Sequence, residues 1–275
     1  MSHQVCSSLK NLDSVIWPSH GEEVQKFHSR LLRLSLAISD CQAYWENWQE
    51  DISEQQKIQT VFEGRWFGNK SMARIQTLLN NFTYRFDAYP IALKVLAAWC
   101  PSDPVTRQNI CHWHLQLSDP LYRCFSDQFL EQRRANLQEK IDRDVVVRWL
   151  SGQIKAEWSI NTRTRMATAL ITCATTAGLC SEGIGSRQLQ YPKITDEALS
   201  YWLYFLRYLS FEGSLFSNPY WRSLGLRDEM LEKRFRRLGS LQFQRMGELE
   251  DFGWQYPDLW AMAQAELIRD RGEQV

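Results

Sequence analysis

The chain of 275 residues predicts a mostly α fold: a multi-helix bundle with helix-turn-helix and winged helix-turn-helix units and a few short β-hairpins. Three observations predict it. Apolar residues recur at helical spacing along most of the chain. The stretch from Asp144 to Tyr191 reads as a helix, a tight turn, a second helix and a basic, hairpin-like return. No period of the solenoid kind interrupts this order.

Taken along the chain, residues 1 to 20 are polar, contain Pro18 and read as a loose arm, so the expected organisation is an arm over 1–21, a helical N-terminal domain over 22–140 and a winged-helix C-terminal domain over 141–275. From Glu22 onward, Val24, Phe27, Leu31, Leu34 and Ile38 fall at helical spacing, and a further helix follows between Ile52 and Phe62. Gly64 and Gly68 frame a turn. Asn69 is an expected cap for KSMARIQTLLNNFTYRF, with Met72, Ile75, Leu78, Leu79 and Phe82 as its buried stripe. This is a helix-turn-helix pattern with Lys70, Ser71 and Arg74 exposed at the start of its second helix; an ordinary helical hairpin fits the same pattern. Pro90 and Pro120 each open a helix, and Asp103 or Pro104 opens the one between them, since a proline at the first helical position gives up only an N–H that has no partner there.

In the winged unit, Val146, Val147, Leu150 and Ile154 define the inner face of the first helix. Ser159 or Asn161 caps the second, whose Met166, Leu170, Ile171 and Ala174 turn inward. That leaves Thr162, Arg163 and Arg165 on the first exposed turns, where a recognition helix meets base edges in the major groove. Gly178 suits a left-handed C-cap. The segment SEGIGSRQLQYPK then supplies glycines, Arg187 and Lys193, a composition fitted to a wing against a phosphate backbone. Asp196 is the expected cap of an aromatic helix through Tyr208, placed in the core beneath the wing with Trp202, Phe205 and Leu206 buried. A charged helix from Arg227 to Leu238, strands at LQFQRMG and LEDFGWQYP and a closing helix LWAMAQAELI make a second wing-like unit.

Composition bounds the function. With 44% apolar residues, 12 Trp and 13 Phe, a large aromatic core is available. No apolar run approaches the roughly 20 residues that span a bilayer, and no secretory leader pattern is visible, so a cytoplasmic protein without a membrane partner is expected. Seven cysteines lie scattered without a CxxC pair and read as free thiols. Cys111, His112 and His114 form the one cluster suggestive of a metal, but they supply only three ligands, and His112 and His114, two residues apart, point to different helix faces. Phosphate-loop, GxGxxG, HExxH and GxSxG patterns are missing, and the acidic pairs Asp142 with Asp144 and Glu248 with Glu250 read as solvated surface. No cofactor, no metal and no catalysis are therefore expected.

Net charge is zero, but it is unevenly spread: residues 142 to 193 hold seven Lys/Arg against four Asp/Glu, residues 58 to 86 four against one, and residues 246 to 275 two against seven. The basic excess coincides with the helix-turn-helix patterns, which favours a double-stranded DNA partner. A protein scaffold that uses the same helices to dock other subunits is the alternative from a different class.

The blocks FEGRWFGNKSMARIQTLLNNFTYRF, WSINTRTRMATALITCATTAGLC and SNPYWRSLGL, followed by LEKRFRRLGSLQFQRMG and FGWQYPDLW, resemble the BrxA family of BREX bacteriophage-exclusion systems from about residue 55 to residue 265. The N-terminal arm of about fifty residues and the neutral charge depart from that pattern. The resemblance implies a small helical DNA-binding accessory protein, acting beside a methyltransferase and an ATPase in phage defence without catalysis of its own. It maps Thr162, Arg163, Arg165, Arg187 and Lys193 onto the winged unit.

Overall fold

The computed structural model describes residues 20–50, 52–153, 158–247 and 249–268, and it is mostly helical with three small two-stranded sheets among those residues. In chain order, the N-terminal part comprises β1 (Gly21–Glu22), α1 (Ile38–Asn47), α2 (Glu54–Glu63), α3 (Met72–Phe82), α4 (Pro90–Trp99), α5 (Pro104–Ser118), α6 (Pro120–Cys124) and α7 (Leu130–Ala135). Wider π turns extend α3 through Asp87 and join α6 to α7. The winged segment follows as β2 (Lys140–Ile141), α8 (Arg143–Gln153), α9 (Ile160–Thr176) and β3 (Arg187–Gln188). The C-terminal part holds α10 (Asp196–Leu206), β4 (Leu209–Ser210), α11 (Pro219–Ser223), α12 (Asp228–Phe235), the hairpin β5 (Leu241–Met246) and β6 (Leu249–Trp254), and α13 (Leu259–Met262).

Local chemistry sets most helix starts. Pro90, Pro104, Pro120 and Pro219 stand at first helical positions, and Asp103, Asp119 and Asn218 accept hydrogen bonds from backbone N–H groups three residues on. Two expected caps move by a residue or two. Ser71 rather than Asn69 caps α3, accepting from the Arg74 N–H at 3.3 Å, and Thr195 rather than Asp196 caps α10. Met72, expected in the buried stripe of α3, is exposed, because as the first helical residue it precedes the turn that packs; Ile75, Leu78, Leu79 and Phe82 are buried as expected.

The helix expected from Glu22 to Ile38 does not form. Apart from one 3₁₀ turn at Arg30–Leu32, the segment before α1 is irregular. Its backbone groups bond across the chain instead of along it. The Val24 N–H donates to the Leu117 carbonyl, the Val24 carbonyl accepts from Arg123 at 2.8 Å, and His28 Nε2 bonds the Ser118 carbonyl. Leu31 and Leu34 still reach the core, but Phe27 is exposed and Val24 half-buried, so the apolar spacing matches burial only in part of this irregular segment. Ile154, expected on the inner face of α8, and the arm before His20 lie outside the described residues.

At the centre is α5, buried on every side from Asn109 onward and packed against α1, α6 and α10. Its Trp113 stacks on Trp202 of α10 with centroids 5.5 Å apart and meets Trp221 of α11 edge-on. The ring neighbours of Trp202 and Phe205 come from His20, Tyr89, α5, α10 and Tyr220, which corrects the expectation that this helix packs beneath the wing. Buried apolar residues from Leu31 to Leu267 belong to one contiguous core cluster. Among the described residues no helix is long and apolar enough to cross a membrane.

Candidate nucleic-acid interface

The winged segment is held together by three local devices. The Ser159 Oγ accepts the Thr162 N–H at 3.2 Å, which starts α9. At its far end Gly178, at φ 73°, lets the chain reverse: the Leu179 N–H bonds the Ala174 carbonyl at 2.8 Å and the Gly178 N–H bonds that of Thr175 at 3.0 Å. The chain then returns antiparallel, with Cys180 bridged to Leu189 and β3 paired to β2, the strand just before α8. Strand, two helices and a returning strand pair is the topology of a winged helix. The loop between, Glu182 to Ser186, is exposed and carries Ile184 wholly in solvent at its tip. Trp149 anchors α8 to the bundle by stacking on Phe129, centroids 4.9 Å apart.

Removing the cap is a direct test of this local assembly. Ser159→Ala is expected to lower stability by about 1 kcal/mol in urea unfolding, because it strands a helix-terminal N–H. An unchanged midpoint would mean that water serves the Thr162 N–H equally well.

The outward face of α9 is narrower than the sequence reading. Met166, Leu170, Ile171 and Ala174 are buried as expected. Asn161, Arg165, Thr168, Thr172 and Thr176 form one exposed stripe. Thr168 and Thr172 donate their hydroxyl protons to the carbonyls four residues back, at 3.0 and 2.8 Å, so each presents to solvent a methyl group and oxygen lone pairs. Among the described residues Arg165 has no acidic partner. It alone of the three first-turn residues projects freely. Thr162 shares a hydrogen bond with Ser159 at 3.0 Å, and Arg163 turns back toward α8, where Nη1 reaches Ser151 Oγ at 3.4 Å.

The wing residues divide similarly. Arg187 folds onto the last turns of α9, donating to Thr175 Oγ1 and, at 3.5 Å, to the Ile171 carbonyl. A cation there complements the negative end of the helix, so Arg187 secures the wing and is not exposed as expected. Lys193 is exposed, but its carbonyl is tied to Asn109 on α5 at 3.0 Å, beyond the C-terminal end of α9 and roughly 20 Å from the first turn by helix rise. In the N-terminal pair of helices, Lys70 is ion-paired to Asp40 at 2.9 Å, Ser71 is consumed as the cap, and Arg74 donates to the Arg33 carbonyl at 3.2 Å. The free, exposed cations expected there are thus internally engaged.

Sequence reasoning missed Arg148 and Lys140. With Arg133 they border an open groove of about 550 Å³ beside the strand pair. Arg148 has no ion-pair partner among the described residues. The signal was present as Lys140, Arg143 and Arg148 in KIDRDVVVRW, but only the pairing of β2 with β3 brings Lys140 next to the wing.

The two histidines of the Cys111 cluster are core residues. His112 bonds Tyr122 and Ser223, and His114 bonds the Arg85 carbonyl and Tyr201, all at 2.8 to 3.0 Å; burial pushes both imidazoles down to about 3, so both are neutral.

No family model matches the chain, and no curated protein matches it.

Proposed function

We propose that the chain binds double-stranded DNA through the winged unit, as a non-catalytic, cytoplasmic accessory protein. The observation that carries this reading is the exposed stripe of α9, in which Arg165 stands unpaired among small hydroxyl and amide side chains. Such a face is slim enough to enter a major groove. The guanidinium can bond guanine bidentately, the threonine oxygens can accept from exocyclic amino groups, and their methyl groups can meet thymine methyls. Arg148 on the preceding helix suits a phosphate, the part the first helix plays when it crosses the backbone. The resemblance of the sequence blocks to the BrxA family supports a further step, a role in BREX-type phage exclusion beside a methyltransferase and an ATPase. A second reading, docking to partner proteins, is favoured by Met246 and Leu249, an exposed cross-strand pair at the tip of the β5–β6 hairpin.

Fluorescence anisotropy with a labelled duplex tests the first reading. Arg165→Ala is expected to weaken binding by about 10- to 100-fold. Arg163→Ala should cost far less, since that side chain serves α8. Arg148→Ala should weaken all duplexes alike and flatten the salt dependence by about one counterion. Unchanged affinity in a folded Arg148→Ala/Arg165→Ala variant would remove this face from DNA recognition, and no salt-sensitive duplex binding at all would leave the docking reading.

A further inference from the structure

A second concavity, of about 700 Å³, opens between the segment 28–33, α2 and the π-extended end of α3. Its size matches sites that enclose a small molecule.

The cleft is cationic and built on fixed backbone. Arg30 and Arg33 have no carboxylate partner among the described residues, whereas Lys57 and Asp87 neutralise each other at 2.6 Å. The segment that carries the two arginines is pinned at both ends, by His28 on the Ser118 carbonyl and by Arg74 on the Arg33 carbonyl, and Leu31 between them is buried. The Arg30 guanidinium carbon lies 3.7 Å from the centroid of the Tyr84 ring. Stacking fixes a guanidinium face and leaves its N–H edges free for an oxyanion. On the helix wall, Gln76 Nε2 donates to Asn80 Oδ1 at 2.7 Å, which leaves Gln76 Oε1 as an acceptor beside Asn80 Nδ2 as a donor. An acceptor next to a donor is what the edge of a nucleobase pairs with.

We propose that this cleft binds a nucleoside monophosphate, its phosphate on the edges of Arg30 and Arg33 and its base edge on Gln76 and Asn80. The same chemistry is offered by a free mononucleotide and by the 5′-phosphorylated end of a single strand.

Titration calorimetry on the full chain tests this with the four mononucleotides, adenosine, inorganic phosphate, and a short single strand with and without a 5′-phosphate. At least one mononucleotide is expected to bind with a Kd below about 1 mM, more tightly than phosphate or adenosine. Arg30→Ala/Arg33→Ala should weaken it by about tenfold or more at unchanged Tm. Arg33→Glu, at an exposed side chain, should do the same without touching the Tyr84 stack. Duplex binding through α9 should be unaffected, which separates this site from the winged one. Tighter binding of the 5′-phosphorylated strand than of any mononucleotide would identify a strand end as the ligand; the reverse would identify the free nucleotide. The proposal is overturned if no mononucleotide binds at millimolar concentration, if inorganic phosphate binds as well as the nucleotide, or if the arginine variants keep full affinity.

Discussion

Phe205→Ala is expected to lower stability by about 3–5 kcal/mol, as large-to-small changes at aromatic core positions do. The side chain is wholly buried, and its ring meets five others: His20 at 5.5 Å, Tyr89 at 5.8 Å, His114 at 5.8 Å, Tyr201 at 6.3 Å and Trp202 at 5.2 Å. Truncation removes the transfer free energy of the ring and leaves a cavity that cannot collapse. Its walls belong to Tyr89, α5 and α10, which are fixed by other contacts, and to His20, held by a 2.9 Å bond to the Phe205 carbonyl. Urea unfolding followed by tryptophan fluorescence measures the loss. Phe205→Leu, which keeps most of the volume, should cost clearly less. A loss under about 1 kcal/mol for the alanine variant would mean that the cluster rearranges to fill the space, against the close packing described here.

That this helix is core was readable from its sequence, because DEALSYWLYFL has no polar stripe wide enough to face water. Where it packs was not readable. Its partners Trp113 and Tyr89 lie about ninety and about a hundred and fifteen residues earlier in the chain, and no local pattern encodes such contacts. The same division explains the rest. Caps, proline starts and the glycine stop of α9 act over three to six residues, so Ser159, Pro104 and Gly178 could be assigned from spacing. The parallel pair of Gly21–Glu22 with Leu209–Ser210 joins segments far apart in the chain and leaves no signature in four residues. The segment from Val24 to Leu34 misled because an irregular chain bonded across to α5 can bury Leu31 and Leu34 without forming the helix their spacing suggests.

For the candidate interface, the sequence located the helix α9 but could not tell which of its first-turn side chains project. Arg163 and Arg165 are two residues apart, hence about 200° apart around the helix, and only the position of Ser151 on α8 decides which one turns back. Arg187 likewise reads as a wing cation until Thr175 and the end of α9 are seen beside it. The cleft at Arg30 and Arg33 had no signal at all, since it exists only where a segment before α1 crosses α3.

Mild acid should destabilise the protein by about 4 kcal/mol between pH 8 and pH 5 through His112 and His114 alone. Burial holds both imidazoles near pKa 3 in the folded chain, against 6.5 when exposed. Below about pH 6.5 the unfolded chain therefore takes up two protons that the folded chain refuses. Stability is full above that pH and falls as the pH drops toward 3, each histidine contributing about 2 kcal/mol by pH 5. His20, whose pKa is lowered by burial against Phe205 and Tyr208, acts in the same direction. Asp119 acts oppositely, because burial raises its carboxyl above the ordinary range and the folded chain takes up that proton first. Urea unfolding at pH 8, 6.5 and 5 gives the slope, and His112→Gln and His114→Gln should each remove about half of it whatever they do to stability at pH 8. A flat profile from pH 8 to 5 in the parent chain, or a slope that survives in the double variant, would mean that these two rings can be protonated in place. Each such ring would donate from both nitrogens, with the hydroxyls of Tyr122, Ser223 and Tyr201 and the Arg85 carbonyl accepting.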